Sequence, residues 1–368
     1  MGGLAARTGL SSDLFRAANA WLGRYRGGVA MSALVACAGF GALCGSSTAT
    51  ASTMGQVALP ELRRYRYAPA LATGTIAAGG TLGILIPPSV VLIVYAIIVE
   101  ANIVAMFAAA LLPGLLALLM FVATVAIYVR VVPGAGPVGE GVSRDELARA
   151  SLGVIPVLVI FAVVIGGIYA GIYNPTPAAA VGVVLVALYG VVFARLRWRG
   201  FVAALLETAR TTGMIYLILF GAELLKIFMA RAGVPQAAAG FLATSGLGAY
   251  EILVLVIVAF LVLGCLMDSL SMVILAIPFF WPVIAALEFG LSPDELKIWF
   301  GIIILVVVEL GLITPPVGLN VFIINSLARD VPMRETFRGV MPFFAAEIVR
   351  VTLLVAFPAI SLVLPRLL

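Results

Sequence analysis

Hydroxyl groups gather at two places in an otherwise apolar chain. One is the run Ser46-Ser47-Thr48-Ala49-Thr50-Ala51-Ser52-Thr53, entered through Cys44-Gly45; the other is Asp268-Ser269-Leu270-Ser271. Downstream of each lies the pattern Leu-Gly-x-x-x-Pro-Pro, as Leu82-Gly83-Ile84-Leu85-Ile86-Pro87-Pro88 and as Leu310-Gly311-Leu312-Ile313-Thr314-Pro315-Pro316. Proline has no N–H to donate, and its ring clashes with the preceding turn. The residue before it is pushed out of the helical region. Two in succession therefore interrupt a helix and release carbonyl groups, which need partners. Carbonyls and hydroxyls are the ligands a small hard cation takes, sodium included by analogy with other hard cations. The hydroxyls of Ser46, Ser47, Thr48, Thr50, Ser269, Ser271 and Thr314 are the candidates; the competing use of each is a hydrogen bond back to its own helix. Half-helix C-termini add partial negative charge, while N-termini face anions.

Acidic residues inside apolar segments are costly unless paired, protonated or near water. Asp268 has two readings, the N-cap of a half-helix starting near Ser269 and a role beside a cation, and the two are compatible. Glu309, one residue before Leu310-Gly311, ranks below it and pairs internally or faces water. Glu223 with Lys226, and Glu347 with Arg350, have the i,i+3 spacing of helix-face ion pairs. The chain has no histidine, which removes His-based metal sites, catalytic dyads and proton relays. Cys37, Cys44 and Cys265 match no ligand spacing and read as packing residues.

The elements that must position these groups are membrane helices. Of 368 residues, 63% are hydrophobic and 11% charged, against about a quarter charged in a soluble domain. Long apolar runs fill 103–129, 152–170, 178–194, 252–267, 298–308 and 343–364. They do not alternate as the strands of a barrel do, so the expected fold is an all-α polytopic membrane protein. The 38 glycines and 20 prolines suit close packing and breaks in such helices. The formal charge of +5 reads as an orientation signal at the membrane surface. No soluble basic face exists for nucleic acid. Residues 1–28 are amphipathic, lack the layout of a signal peptide and predict helix lying near the interface.

Arginine placement sorts the crossings. Arg24 and Arg26 precede the apolar stretch 27–60, and Arg63, Arg64 and Arg66 follow it. The bias of basic residues toward the cytoplasm makes this stretch a re-entrant hairpin with its tip at 44–53. Irregular backbone at such a tip must be surrounded by protein or line a cavity. Crossings follow at 70–98, 103–129, 151–171, 176–194 and about 212–229, with loop 130–150 cytoplasmic and 230–248 a flat-lying or packed connector. Residues 250–287 form a second hairpin, 298–325 cross inward, and 339–364 cross last.

Each half thus contains a hairpin followed by a helix broken at two prolines. The hairpins also match weakly, Gly41 with Ser46-Ser47-Thr48 against Gly264 with Ser269-Leu270-Ser271, and Pro60 against Pro282. One set opens inward and the other outward, the inverted-topology plan of many secondary transporters. The expected division is 1–26 interfacial, 27–98 and 251–327 as the two hairpin-plus-broken-helix units of a transport domain, 99–250 scaffold helices and connectors, and 328–368 a C-terminal scaffold helix.

With these residues in view, the chain resembles the large membrane subunit of tripartite ATP-independent periplasmic (TRAP) transporters, the DctM-like family. Gly41–Gly55, Gly79–Ser89, Cys265–Ser271 and Glu309–Asn320 carry the likeness, which extends along the whole chain. The resemblance implies an elevator-type symporter of the bacterial inner membrane that performs no covalent chemistry and holds no cofactor. Sodium ions are its coupling ions. Its partners are a small four-helix membrane subunit and a periplasmic substrate-binding protein; its substrate is an organic acid such as a C4-dicarboxylate, another carboxylate or a sialic acid. Carried over by residue, Gly45, Ser46, Ser47, Thr48 and Thr50 with Gly83 and Pro87 form one sodium region. Asp268, Ser269 and Ser271 with Gly311, Thr314, Pro315 and Gly318 form the other, and the substrate lies between the hairpin tips. The chain departs from the family in having Cys44-Gly45-Ser46 where a Ser-Gly-Ser type sequence is expected. The family pattern also has membrane-embedded sequence ahead of the position matched by Met1. The alternative from the same broad class is a single-component sodium-coupled dicarboxylate or ion transporter. A membrane enzyme using Asp268 and Glu309 would need acids gathered in one wet pocket, and a channel would need a continuous pore.

Overall fold

Glycine turns the chain at the first hairpin. A computed structural model describes residues 1–139, 141–194, 196–233 and 246–367. After α1 (Gly2–Ala5) and α2 (Leu10–Leu22), α3 (Gly28–Cys44) ends at Gly45, whose φ of 64° is left-handed and whose N–H donates to Gly41 O at 2.7 Å. Glycine adopts this conformation without the steric cost of a Cβ. Ser46 then caps α4 (Ser47–Arg64), its Oγ accepting from Ala49 N–H at 3.4 Å. The first broken helix is α5 (Pro69–Leu85), an extended Ile86 before Pro87-Pro88, and α6 (Val90–Val99), capped by Ser89. The two halves bend by 46°.

The second half repeats this order. α11 (Ala249–Gly264) and α12 (Ser269–Ala285) form the hairpin; α13 (Pro293–Gly311) and α14 (Leu319–Leu327) form the broken helix. The Pro87–Pro88 and Pro315–Pro316 peptide bonds are both cis. In each half the hairpin's first helix crosses its broken helix at the motif glycine. A Cβ on Gly41 would lie 2.5 Å from Gly83 Cα, and one on Gly264 would lie 3.2 Å from Gly311 Cα. The units also exchange their short half-helices: α6 packs on α12 of the second hairpin, and α14 packs on α4 of the first. This reciprocal exchange is the packing expected of inverted repeats.

One end of the protein is basic. Gly27 N–H donates to Gly136 O at 3.2 Å and Ala68 N–H to Ala135 O at 2.9 Å, so both ends of the first hairpin and the loop after α7 (Ile103–Val131) meet. Arg24, Arg26, Arg63, Arg64 and Arg66 flank those junctions, and Arg63 pairs with Asp330. At the opposite end Lys297 Nζ donates to Glu100 O at 3.3 Å and Arg366 pairs with Glu295 at 2.8 Å.

Several expected boundaries move for physical reasons. The apolar signal starts near 151 and 298, yet α8 (Arg144–Phe161) and α13 begin earlier. Capping boxes at Ser143/Glu146 and Ser292/Glu295 satisfy the first free N–H groups and start each helix in polar sequence. α8 continues through a π turn, Ala162–Gly166, to Tyr169. α9 (Pro175–Val192) is followed by α10 (Trp198–Arg231), 34 residues long against the short crossing expected at 212–229. Most of the connector 230–248 and the side chain of Lys226 lie outside the described residues. The apolar face of the N-terminal segment meets protein: Leu10, Leu14 and Phe15 of α2 are buried, and the helix packs on α3 and α8.

α7 and α15 (Met333–Ala356), which the expected division places outside the hairpin units, both pack on α5 and α13. α15 lies along α5, with Gly74 and Gly339 so close that a Cβ on Gly74 would stand 2.8 Å from Gly339 Cα. The expected Glu347–Arg350 pair is present and fully buried, and Arg350 Nη1 donates to Pro113 O of α7 at 3.2 Å. α16 (Ala359–Leu362) ends the main elements. Among the described residues five single helices are long and apolar enough to cross a membrane, and the bent α5–α6 pair makes a sixth.

Candidate functional site

The two hairpin tips meet. Ser47 at the start of α4 and Ser269 at the start of α12 both donate their hydroxyls to Glu309 of α13, Ser269 Oγ to Oε1 at 2.7 Å and Ser47 Oγ to Oε2. Each tip is also seated on its own helix break. A Cβ on Gly45 would lie 2.8 Å from Pro88 O, and one on Gly83 would lie 2.7 Å from Ser46 O. In the second half Gly318, with φ 63°, donates its N–H to Cys265 O at 3.3 Å. Both expected regions are therefore assembled in space, and both converge on one place.

The side chains are used differently from one another. Asp268 caps α12, Oδ2 accepting from Ser271 N–H at 3.1 Å, and it also lines the cavity between the tips. Both readings of Asp268 are compatible with this position. Ser46 Oγ and Thr48 Oγ1 are 3.4 Å apart and face the same cavity. Thr50 Oγ1 is buried beside the Cys44 thiol. Thr314 takes the competing use, its hydroxyl donating to Leu310 O at 2.6 Å. The second break also satisfies some carbonyls that the prolines free: Gly311 O accepts from Thr314 N–H at 3.1 Å and Leu312 O from Asn320 N–H at 3.0 Å. Those oxygens are not orphaned, contrary to the simple expectation for a double proline. Gly311, Pro315 and Gly318 shape the break behind the tip and do not line the cavity, and neither do Gly83, Pro87 or Ser271.

The cavity holds about 400 Å³, within the usual range for small-molecule sites. Its floor is polar: Gly45 to Ala49 from the first tip, Asp268 to Leu270 from the second. One wall is α10, through Thr208, Thr211, Thr212 and Ile215. Their i, i+3, i+4, i+7 spacing places them on one helix face. That spacing is visible in the sequence, but the crossing is expected only from about 212, which leaves Thr208 and Thr211 outside it. Glu309 was undervalued because its neighbours in sequence are apolar; its two partners come from the distant hairpin tips.

Comparison with known proteins agrees with this architecture. The family described as "Tripartite ATP-independent periplasmic transporter, DctM component" matches residues 1–360. The C4-dicarboxylate TRAP transporter large permease protein DctM of Pseudomonas aeruginosa is 36% identical over 361 residues, covering 97% of this chain and 82% of that protein. The sialic acid TRAP transporter large permease protein SiaM of Vibrio cholerae is 29% identical over 370 residues, covering 100% and 84%. Among solved structures, the YdaH transporter of Alcanivorax borkumensis superposes with a TM-score of 0.62 at 14% identity, covering 97% of this chain and 85% of that one. At that identity the likeness concerns the fold alone.

Proposed function

Because the chain belongs to the DctM component family of tripartite ATP-independent periplasmic transporters, we propose that it imports an organic acid coupled to sodium entry, with the substrate held in the cavity between the hairpin tips. The family makes the chain a multi-pass subunit of the large-permease type in a bacterial inner membrane, a transporter and not an enzyme. The finer reading is carried by one observation, the convergence of two hydroxyl-rich tips on one shared cavity. N-terminal N–H groups of α4 and α12 open toward it and suit a carboxylate. The hydroxyls and tip carbonyls supply oxygen for sodium, in the two regions of Gly45–Thr50 with Gly83 and Pro87, and of Asp268–Ser271 with Gly311–Gly318.

Movement follows from the packing. The two hairpins, both broken helices, α7 and α15 share close glycine crossings and the buried Arg350–Pro113 contact, so they travel as one body. α10, α9 and α8 present far more apolar surface outward; only 6% of the apolar window of α10 is buried. They form the frame against which that body slides, and α10 supplies the wall that the tips pass. A small membrane subunit and a periplasmic substrate-binding protein complete the transporter. C4-dicarboxylates are the first substrates to test, given the 36% identity to the Pseudomonas aeruginosa protein.

The test is uptake by the chain co-reconstituted with its two partners across a panel including succinate and N-acetylneuraminate. Accumulation of at least one acid, dependent on the soluble partner, is expected. Absence of uptake for every acid overturns the reading, and uptake undiminished without the partners favours a single-component transporter.

A further inference from the structure

Glu309 is fully buried, and its two carboxylate oxygens are shared between the tips: Oε1 takes the Ser269 hydroxyl at 2.7 Å, Oε2 the Ser47 hydroxyl. Both serines line the cavity, while Glu309 stands behind them. Among the described residues no ion pair includes Glu309. When Glu309 is ionised its carboxylate only accepts, so each hydroxyl proton then turns toward it and each serine's lone pairs are left for the cavity side. Hydrogen bonds to a charged acceptor are roughly twice as strong as neutral ones, which polarises both oxygens further. Burial makes a Glu309 anion costly, the nearby Arg350 is already paired with Glu347, and a cation held just beyond the two serines lowers that cost.

We propose that Glu309 is the positioning residue that joins the two hairpin tips into one cation-responsive unit, by fixing the Ser47 and Ser269 hydroxyls on a single carboxylate. This rests on the sodium-coupled reading above. It adds that the two tips do not respond to sodium independently: releasing either serine frees one carboxylate oxygen and loosens the hold on the other tip. Substituting one serine therefore removes most of what substituting both removes.

The experiment uses the purified full chain in detergent, with its unfolding temperature followed as sodium chloride replaces choline chloride at constant ionic strength. A ligand that binds the folded state raises this temperature. The wild type is expected to respond with saturation. Glu309→Gln, of the same shape but without the charge, is expected to need about tenfold more sodium, the size of effect for a hydrogen-bond network to a charged group. Ser47→Ala and Ser269→Ala complete a double-mutant cycle, in which the double variant is expected to lose little more sodium response than either single one. No response in the wild type overturns the sodium-coupled reading itself, and this inference with it. A normal wild-type response with Glu309→Gln unchanged, or with additive serine effects, overturns the inference alone. Should Glu309→Gln fail to fold, the serine cycle decides.

Discussion

Gly311 of the second broken helix crosses Gly264 of the second hairpin so closely that a Cβ on Gly311 would stand 2.6 Å from Gly264 Cα. In the first half the close approach is seen from the hairpin side, a Cβ on Gly41 lying 2.5 Å from Gly83 Cα. The glycine of the Leu-Gly-x-x-x-Pro-Pro pattern thus brings the broken helix against the hairpin, and the two prolines open it just beyond the crossing.

Gly311→Ala forces backbone against backbone, so it is expected to destabilise the chain by about 1–3 kcal/mol, as overpacking does. Gly221→Ala on α10 is the control, because a Cβ there meets nothing within 4 Å among the described residues. It is expected to leave stability unchanged or raise it by up to about 1 kcal/mol through helix propensity. Thermal unfolding in detergent compares the two; equal losses would contradict the close-crossing account.

Asp268 combines a cap with a place at the cavity, and two substitutions separate these roles. Asn caps a helix about as well as Asp, whereas Ala costs about 1 kcal/mol. Asp268→Asn is therefore expected to keep thermal stability and lose sodium-dependent uptake, and Asp268→Ala to lose both. Sodium dependence intact in Asp268→Asn would reduce the residue to a cap.

Arg350 is expected to hold α15 to α7 through Pro113 O, with Glu347 of its own helix fixing the guanidinium. Arg350→Met leaves the Glu347 carboxylate buried without its partner and should cost roughly 3–5 kcal/mol. Arg350→Met combined with Glu347→Leu should recover most of that loss. Unfolding temperatures of the three proteins decide, and a double variant no better than Arg350→Met would show that the contact to Pro113 matters more than the ion pair.

Much of this architecture was legible in the residues. Paired prolines marked both breaks, arginines placed both ends of the first hairpin on one face, and Gly45 and Asp268 marked the tips. These signals are local, so one sequence reveals them. Helix starts at Arg144 and Pro293 were hidden because capping extends a helix into polar sequence that a hydropathy reading takes for loop. The role of Glu309 was hidden for the opposite reason. Its partners Ser47 and Ser269 arrive only when two hairpins close on each other, and nothing near Glu309 in the chain announces them. That α2 packs on protein was not legible, because an amphipathic helix looks the same whether its apolar face meets lipid or protein.

The account stands or falls on whether a sodium gradient drives acid across the membrane through this chain. The direct measurement is uptake of radiolabelled succinate into proteoliposomes holding the chain with its two partners, under an inward sodium gradient, with no gradient, and after a sodium ionophore. The account predicts accumulation under the inward gradient alone and its loss when the ionophore collapses it. Equal accumulation without any cation gradient would contradict it.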